Sequence, residues 1–183
     1  MVRTSHSDPL RIDEIIAGDA GGLVGITFCP GKRDHGYRWA RDLAADLDTI
    51  ARWQAQAMVT LIEDHEFNML GVPELGAEVR ARGIDWHHLP IVDVQPPDER
   101  FEAGWLSSGR VLRSVLRGGK RVVVHCRGGV GRAGTVAARL LIELGAPPPD
   151  AVRTVRSARP GAIETDEQLR YVLDLPRRLG AAQ

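Results

Sequence analysis

Residues 122–135 read VVVHCRGGVGRAGT, and how this stretch is read decides the fold. A run of β-formers ends in Cys126, a glycine-rich turn follows, and Arg132 leads into small residues that open a helix. Two motifs overlap here. Gly129, Gly131 and Gly134 match G-x-G-x-x-G, the dinucleotide-binding fingerprint, in the strand–turn–helix context that it needs. The continuation does not fit. That fold requires a further strand ending in an acidic residue to hold the ribose, whereas here Pro147, Pro148 and Pro149 follow the helix and more helix follows them. A Walker A loop fails as well, because no lysine follows Gly134.

The second motif is Cys126 followed five residues later by Arg132. A cysteine at a strand end, facing successive backbone N–H groups and a helix N-terminus, sits in a positive field that favours thiolate. Cysteines so placed drop from about 8.5 to between roughly 3.5 and 7.5. The amides of Arg127, Gly128, Gly129, Val130 and Gly131 form a cradle for phosphate oxygens, and the glycines allow close approach. Arg132, planar and always charged, grips two of those oxygens at once. A nucleophile beneath a phosphate cradle is a site for phosphoryl transfer to sulfur.

Composition sets the setting for this chemistry. The chain has 183 residues, 43% hydrophobic and 26% charged, with 24 basic and 24 acidic side chains. This fits one globular domain with a sizeable core, and nothing in the charge balance steers it to nucleic acid or membrane. Cys29 and Cys126 are too few and too far apart for a disulfide scaffold or a zinc site. No apolar run reaches membrane-spanning length, and the first ten residues lack the apolar core of a signal peptide. The expectation is a cytoplasmic monomer in which a thiol stays reduced.

Along the chain, residues 1–9 read as a flexible tail and 10–180 as one catalytic domain. Strands are expected at 10–18, 21–28, 57–62, 84–92 and 120–126, with a turn at 29–36. Trp39, Leu43, Leu47 and Ile50 share one face of a helix expected over 38–54, with Asp42 and Asp46 elsewhere on it. Asp64 reads as the N-cap of a short helix. Further helices are expected at 74–82, 99–117, 133–144, 149–158 and 166–178. Strands alternating with helices imply a single α/β domain, a mostly parallel sheet covered by helices on both faces.

The loop HCRGGVGRAGT resembles the signature of cysteine-dependent protein phosphatases, the tyrosine and dual-specificity group. With ITFCPGK, HHLPIVDVQPPD and GAIETDEQL around it, the chain is similar to the kinase-associated (cyclin-dependent kinase inhibitor 3-like) branch. The resemblance implies a protein-tyrosine-phosphatase-like fold, Cys126 as nucleophile and Arg132 as phosphate clamp. Asp93 matches the general acid that protonates the leaving oxygen, a contribution of typically 10²–10⁴-fold. Asp98 is the rival, but Pro97-Asp98-Glu99 also reads as a helix start with Asp98 as N-cap. Gln168 matches the residue that orients the attacking water, and Thr165–Gln168 also reads as a capping box. The substrate so implied is a phosphorylated protein, phosphotyrosine first and phosphoserine or phosphothreonine next, or a small phosphomonoester. No metal or cofactor is called for.

Five residues complete the reading. Alternation along the strand points His125 away from Cys126, as a support beneath the loop. His87 and His88 face opposite sides of their strand and do not make a metal site. Ala133 departs from the family, which places serine or threonine there. Loss of that hydroxyl predicts slowed breakdown of a phosphoenzyme, with a phosphate-binding module of little turnover as the alternative. Cys29 reads as a half-buried turn residue or as a disulfide partner for Cys126 at the site mouth, where Lys32 or Arg33 would meet an anion.

Overall fold

The structure, a computed structural model, describes residues 2–34, 36 and 38–181. Met1 of the expected tail and His35 of the expected turn lie outside the described residues. Strands β1 (Asp13–Ala17), β2 (Gly22–Phe28), β5 (Ala55–Thr60), β6 (Asp85–His88) and β7 (Arg121–Cys126) form one sheet in the order β1-β2-β7-β5-β6. β2, β7, β5 and β6 run parallel, and β1 pairs antiparallel with β2 at one edge. The Val122, Val123, Val124 run lies in the central strand and is buried on both faces, as a parallel sheet requires. Two-residue strands β3 (Arg33–Asp34) and β4 (Trp39–Ala40) make a separate antiparallel pair.

Helices cover both faces. α1 (Leu43–Arg52), α2 (Asp64–Met69) and α3 (Leu75–Ala81) pack through Leu47, Ile50, Phe67, Leu75 and Val79 into one cluster with Met58 and Val123. The other face receives α4 (Glu99–Arg117), α5 (Gly131–Glu143), α6 (Pro148–Ala158), α7 (Asp166–Leu173) and α8 (Leu175–Ala181). There Phe101, Trp105, Val136 and Leu140 meet Val122 and Val124. Among the described residues, no helix is long and apolar enough to cross a membrane.

The expected α/β architecture is present, and the departures are local. The helix expected over 38–54 begins at Leu43, because Asp42 accepts from the Ala45 amide at 2.7 Å and starts it there. Trp39 belongs to β4 instead, its ring 5.1 Å from that of Phe28. Asp46 is buried rather than wet, in a forked ion pair with Arg41. The N-cap of α2 is Glu63 and not Asp64, and the Glu63 amide donates to Glu66 Oε2 at 2.8 Å. α5 starts two residues earlier than expected, so Arg132 sits in its first turn. The last expected helix is two, broken at Asp174.

Residues 2–9 carry contacts to the body. Arg3 pairs its backbone with Arg38 and Ala40, and the Asp8 carbonyl accepts from Arg41 Nη1 at 2.6 Å.

Candidate active site

Chain direction places the site. The parallel strands end together at the carboxyl edge of the sheet, where α/β folds gather their ligands. Phe28 and Cys126 are register partners at that edge. Cys126 closes β7, residues 127–130 turn, and α5 begins at Gly131. Gly129 makes the turn possible. Its φ is +68°, and a Cβ there would lie 2.5 Å from the Thr27 carbonyl. Its amide donates to Cys126 Sγ at 3.2 Å, so the loop curls over the sulfur with at least this N–H turned inward.

A cavity of about 360 Å³ opens above this loop. Cys126, Arg127, Gly128, Val130, Gly131 and Arg132 all line it, so the residues expected at the phosphate are together except Gly129, whose amide faces the sulfur. Asp93 and Val94 form one wall and Trp39 and Lys32 another. Asp98 is not among the lining residues; its carboxylate accepts from the Phe101 amide at 2.9 Å as the N-cap of α4. Asp93 is half-exposed and lies 3.0 Å from Arg132 Nη2.

Arg132 is 1% exposed and held from behind. Nη1 donates to Glu66 Oε2 at 2.5 Å and to the Ile91 carbonyl at 3.1 Å, and Nη2 donates to Glu66 Oε1 at 3.0 Å. Burial works against the Arg132 charge. The hydrogen bonds it donates to Glu66 and the negative groups around it outweigh that and hold the guanidinium firmly charged. For Glu66, burial pushes the carboxyl up, but the hydrogen bonds from Arg132 and the Glu63 amide bring it below the usual range. Nε of Arg132 is buried with no hydrogen-bond partner. An orphaned, charged N–H on a residue that lines a cavity is a donor left open for an anionic acceptor.

His125 supports the loop from within the sheet. Burial pushes it down to about 3, so it is neutral at pH 7. Its Nδ1 faces the Cys126 carbonyl at 3.4 Å, and its Nε2 lies 2.8 Å from Thr60 Oγ1. A carbonyl only accepts, so Nδ1 carries the proton and Nε2 accepts from the Thr60 hydroxyl. Thr60 Oγ1 in turn accepts from Trp86 Nε1 at 2.8 Å. His87 and His88 take separate partners, Ser108 and the Ile62 carbonyl.

Gln168 is fully buried and does not line the cavity. Its Oε1 accepts from the Glu164 and Thr165 amides at 2.9 and 3.2 Å, and its Nε2 donates to the Gln95 carbonyl at 3.2 Å. The side chain therefore ties the Asp93–Gln95 loop to the start of α7, and Thr165 Oγ1 adds a bond to the Val94 carbonyl. Thr135 Oγ1 bonds back to the Gly131 carbonyl at 2.9 Å and does not replace the hydroxyl missing at Ala133.

At the mouth, Lys32 Nζ donates to the Arg127 carbonyl at 3.2 Å and lies 4.8 and 4.3 Å from the Phe28 and Trp39 ring centres. Burial brings it down to about 8. Arg33 does not line the cavity. Cys29 is buried with a free thiol that donates to the Pro30 carbonyl, and burial pushes it up. It packs with the α1–α3 face, whereas Cys126 packs with the opposite one.

The sequence missed Glu66, which holds Arg132, and Asp34, which takes Arg127 Nη2 at 2.6 Å. It also missed Glu164, a lining residue whose carboxylate approaches Gly131. The capping spacing Glu63–Glu66 was the single local signal available for any of these.

Known proteins are similar to this chain in sequence and in fold. A family model described as PTP-SAK, the Swiss Army Knife protein DSP-PTPase phosphatase domain, matches residues 41–172. Human cyclin-dependent kinase inhibitor 3 is 29% identical over 162 residues, covering 87% of this chain and 74% of that protein. Human protein tyrosine phosphatase type IVA 3 is 37% identical over 89 residues, 49% of each chain. Among solved structures, kinase associated phosphatase with its catalytic-site cysteine replaced by serine superposes with a TM-score of 0.82. It is 26% identical, and the match covers 94% of this chain and 97% of that one. Tk-PTP in its active form gives a TM-score of 0.67 at 33% identity, with 89% and 97% covered. The family model spans well over half of the 183 residues, and the chain belongs to the dual-specificity and tyrosine phosphatase domain family.

Proposed function

We propose that this protein hydrolyses phosphomonoesters through a phosphocysteine intermediate. The observation that carries the reading is the pairing of a sulfur capped by the Gly129 amide with a buried guanidinium whose Nε lacks a partner, both lining one cavity. A phosphate seated in the loop would supply the missing acceptor for Nε. It would also take over the place of the Asp93 carboxylate on Nη2.

In the first step the Cys126 thiolate attacks phosphorus, the ester P–O bond breaks, and the leaving oxygen takes a proton from Asp93. In the second step water attacks phosphorus and passes a proton back to Asp93. The S–P bond then breaks, and thiolate and inorganic phosphate are released. The loop amides and Arg132 stabilise the charge on the equatorial oxygens in both steps. Asp93 rather than Asp98 is assigned as the acid, because Asp93 lies at the cavity and Asp98 is engaged as a cap. Gln168 anchors the acid loop through its bonds to Glu164, Thr165 and Gln95, and its amide lies against Gly131 at the cavity, where the second Nε2 N–H would meet the hydrolytic water. Protein phosphotyrosine is the first substrate to test, since Trp39 and Val94 give the mouth apolar walls for an aryl ring. Phosphoserine, phosphothreonine and small phosphomonoesters follow.

The test is hydrolysis of a chromogenic aryl phosphate with chelator present. Wild type turns it over, and Cys126→Ser abolishes turnover while tungstate still binds. Tungstate binding without hydrolysis in the wild type would make the protein a binding module and overturn the enzyme reading.

A further inference from the structure

The mechanism above leaves one part-buried cluster at the loop unused. Arg159, the C-cap of α6, donates from Nε to the Gly129 carbonyl and from Nη2 to the Gly128 carbonyl, both at 3.0 Å. Its Nη1 donates to Asp13 Oδ2 at 2.8 Å. Asp13, the first residue of β1, has a side chain 4% exposed, and its other oxygen accepts from Arg11 Nε at 2.5 Å. Neither Arg159 nor Asp13 lines the cavity.

A trans peptide is planar, so a C=O and the N–H of the next residue point in opposite directions. Holding the Gly128 and Gly129 carbonyls on one side therefore turns the Gly129 and Val130 amides to the other. The Gly129 amide is the one found on Cys126 Sγ. Glycine places no side chain in the way of a peptide flip, so this loop needs an external restraint to keep its amides converged. A guanidinium supplies it, because one rigid fork reaches two adjacent carbonyls and still has an N–H for a carboxylate.

We propose that Arg159, held in place by Asp13, is a positioning residue that turns the loop amides toward the sulfur and the phosphate oxygens. The proposal rests on the phosphatase reading of the loop. It makes the antiparallel edge strand part of the catalytic apparatus, through a side chain that touches neither substrate nor sulfur.

The test compares wild type with Arg159→Ala, Arg159→Lys and Asp13→Asn. Tungstate affinity is measured by calorimetry, and carboxymethylation of Cys126 by iodoacetate is timed at one fixed pH, with thermal melts recorded alongside. Arg159→Ala and Arg159→Lys are each expected to weaken tungstate and slow carboxymethylation by about tenfold, because misaimed amides lose preorganised charge stabilisation. An ammonium cannot fork, so lysine does not rescue. Asp13→Asn is expected to fall between wild type and Arg159→Lys. A clamp that only stabilised the fold would lower the melting temperature and leave both readouts unchanged in the folded variants. That result in Arg159→Lys overturns the role of Arg159, and in Asp13→Asn it overturns the part given to Asp13, even where Arg159→Ala fails to fold. A wild type that binds no tungstate overturns the phosphatase reading itself.

Discussion

Two buried arginine–carboxylate pairs divide the molecule between scaffold and site. Arg41 meets Asp46 through Nε and Nη2 at 2.7 and 2.8 Å, and its Nη1 goes to the Asp8 and Thr4 carbonyls. Asp46 also accepts from the Gly31 amide at 2.8 Å, which pins the turn that follows β2. Protein groups complete that pair. Arg132 meets Glu66 with a fork of its two terminal nitrogens, Nη1 and Nη2, which leaves the Nε N–H over and shares Nη2 with a half-exposed carboxylate. Burying a charge without full pairing is costly, and the fold tolerates the deficit where a ligand can fill it. Unfinished satisfaction, and not burial or charge, separates the functional pair from the structural one.

Lysine at each position breaks the comparison open most widely. Arg132→Lys is expected to lower kcat/KM by about 10²–10³-fold, since a point charge cannot take two phosphate oxygens in a fixed fork. Arg41→Lys keeps the charge but loses the fork to Asp46 and the bonds to Asp8 and Thr4; it is expected to cost about 1.5–3 kcal/mol of stability and to leave kcat of the folded fraction near wild type. Urea unfolding and aryl phosphate kinetics on both variants read the two effects separately. Equal loss of activity in both would erase the distinction.

Glu66→Gln sharpens it. The Glu66 carboxyl is held below its usual value in the folded protein, so its contribution to stability is present above about 4.5 and is lost as pH falls through the folded value. The variant should be less stable at pH 7 and show a flatter fall below pH 4.5. It should also lose about tenfold in kcat/KM as Arg132 loosens. Melting temperature against pH checks the first expectation, and a slope below pH 4.5 as steep as wild type would count against it.

The Cys126–Arg132 loop was legible in the sequence because its determinants are contiguous. A β-branched run, a nucleophile, glycines where the backbone must curl and small residues opening a helix fall within fourteen positions. The sheet and most helices were legible from periodicity for the same reason. What supports the loop was not legible, because its partners come from afar. Glu66 is 66 positions from Arg132, and Asp13 is 146 from Arg159; the capping spacing Glu63–Glu66 marks a helix start and not a partner for Arg132, and nothing local marks Asp13. Trp39 misled because its spacing to Leu43 and Leu47 is helical, while tertiary packing on Phe28 and Lys32 outweighs that period and places it on a strand. Gln168 matched a family position and a capping box at once. Only the fold showed that the capping bonds and the bond to Gln95 engage its amide.

Ala133→Ser probes the open side of the site more gently. Ala133 is fully buried in the first turn of α5, and Thr135 bonds to its own helix, so no hydroxyl in that turn is free for the sulfur. A serine there would donate to the departing thiolate in the second step. Steady-state turnover should rise about tenfold or less, within the range of one hydrogen bond to a charged group, and single-turnover phosphorylation of Cys126 should change less. Burst kinetics distinguish the two steps, and equal gains in both would remove the second step as the point of action.

The smallest expected effect belongs to Lys32, and here function and stability oppose each other. Burial brings the ammonium down to about 8 from 10.5, so the charge at the cavity mouth is present at neutral pH and fades as pH rises through 8. KM for an anionic substrate should climb over that window in wild type. In Lys32→Met it should start about threefold higher at pH 7 and stay flat to pH 9, the scale of one charge near a partly solvated surface. The stability sign is the reverse. Between 8 and 10.5 the unfolded chain binds more protons than the folded one, so the penalty for burying this lysine is full below pH 8 and shrinks as pH rises. Lys32→Met should therefore melt above wild type at pH 7, with the gap narrowing toward pH 10. A KM that tracks wild type across the window would show that the ammonium serves only the Phe28 and Trp39 rings and the Arg127 carbonyl, on the scaffold side of the division.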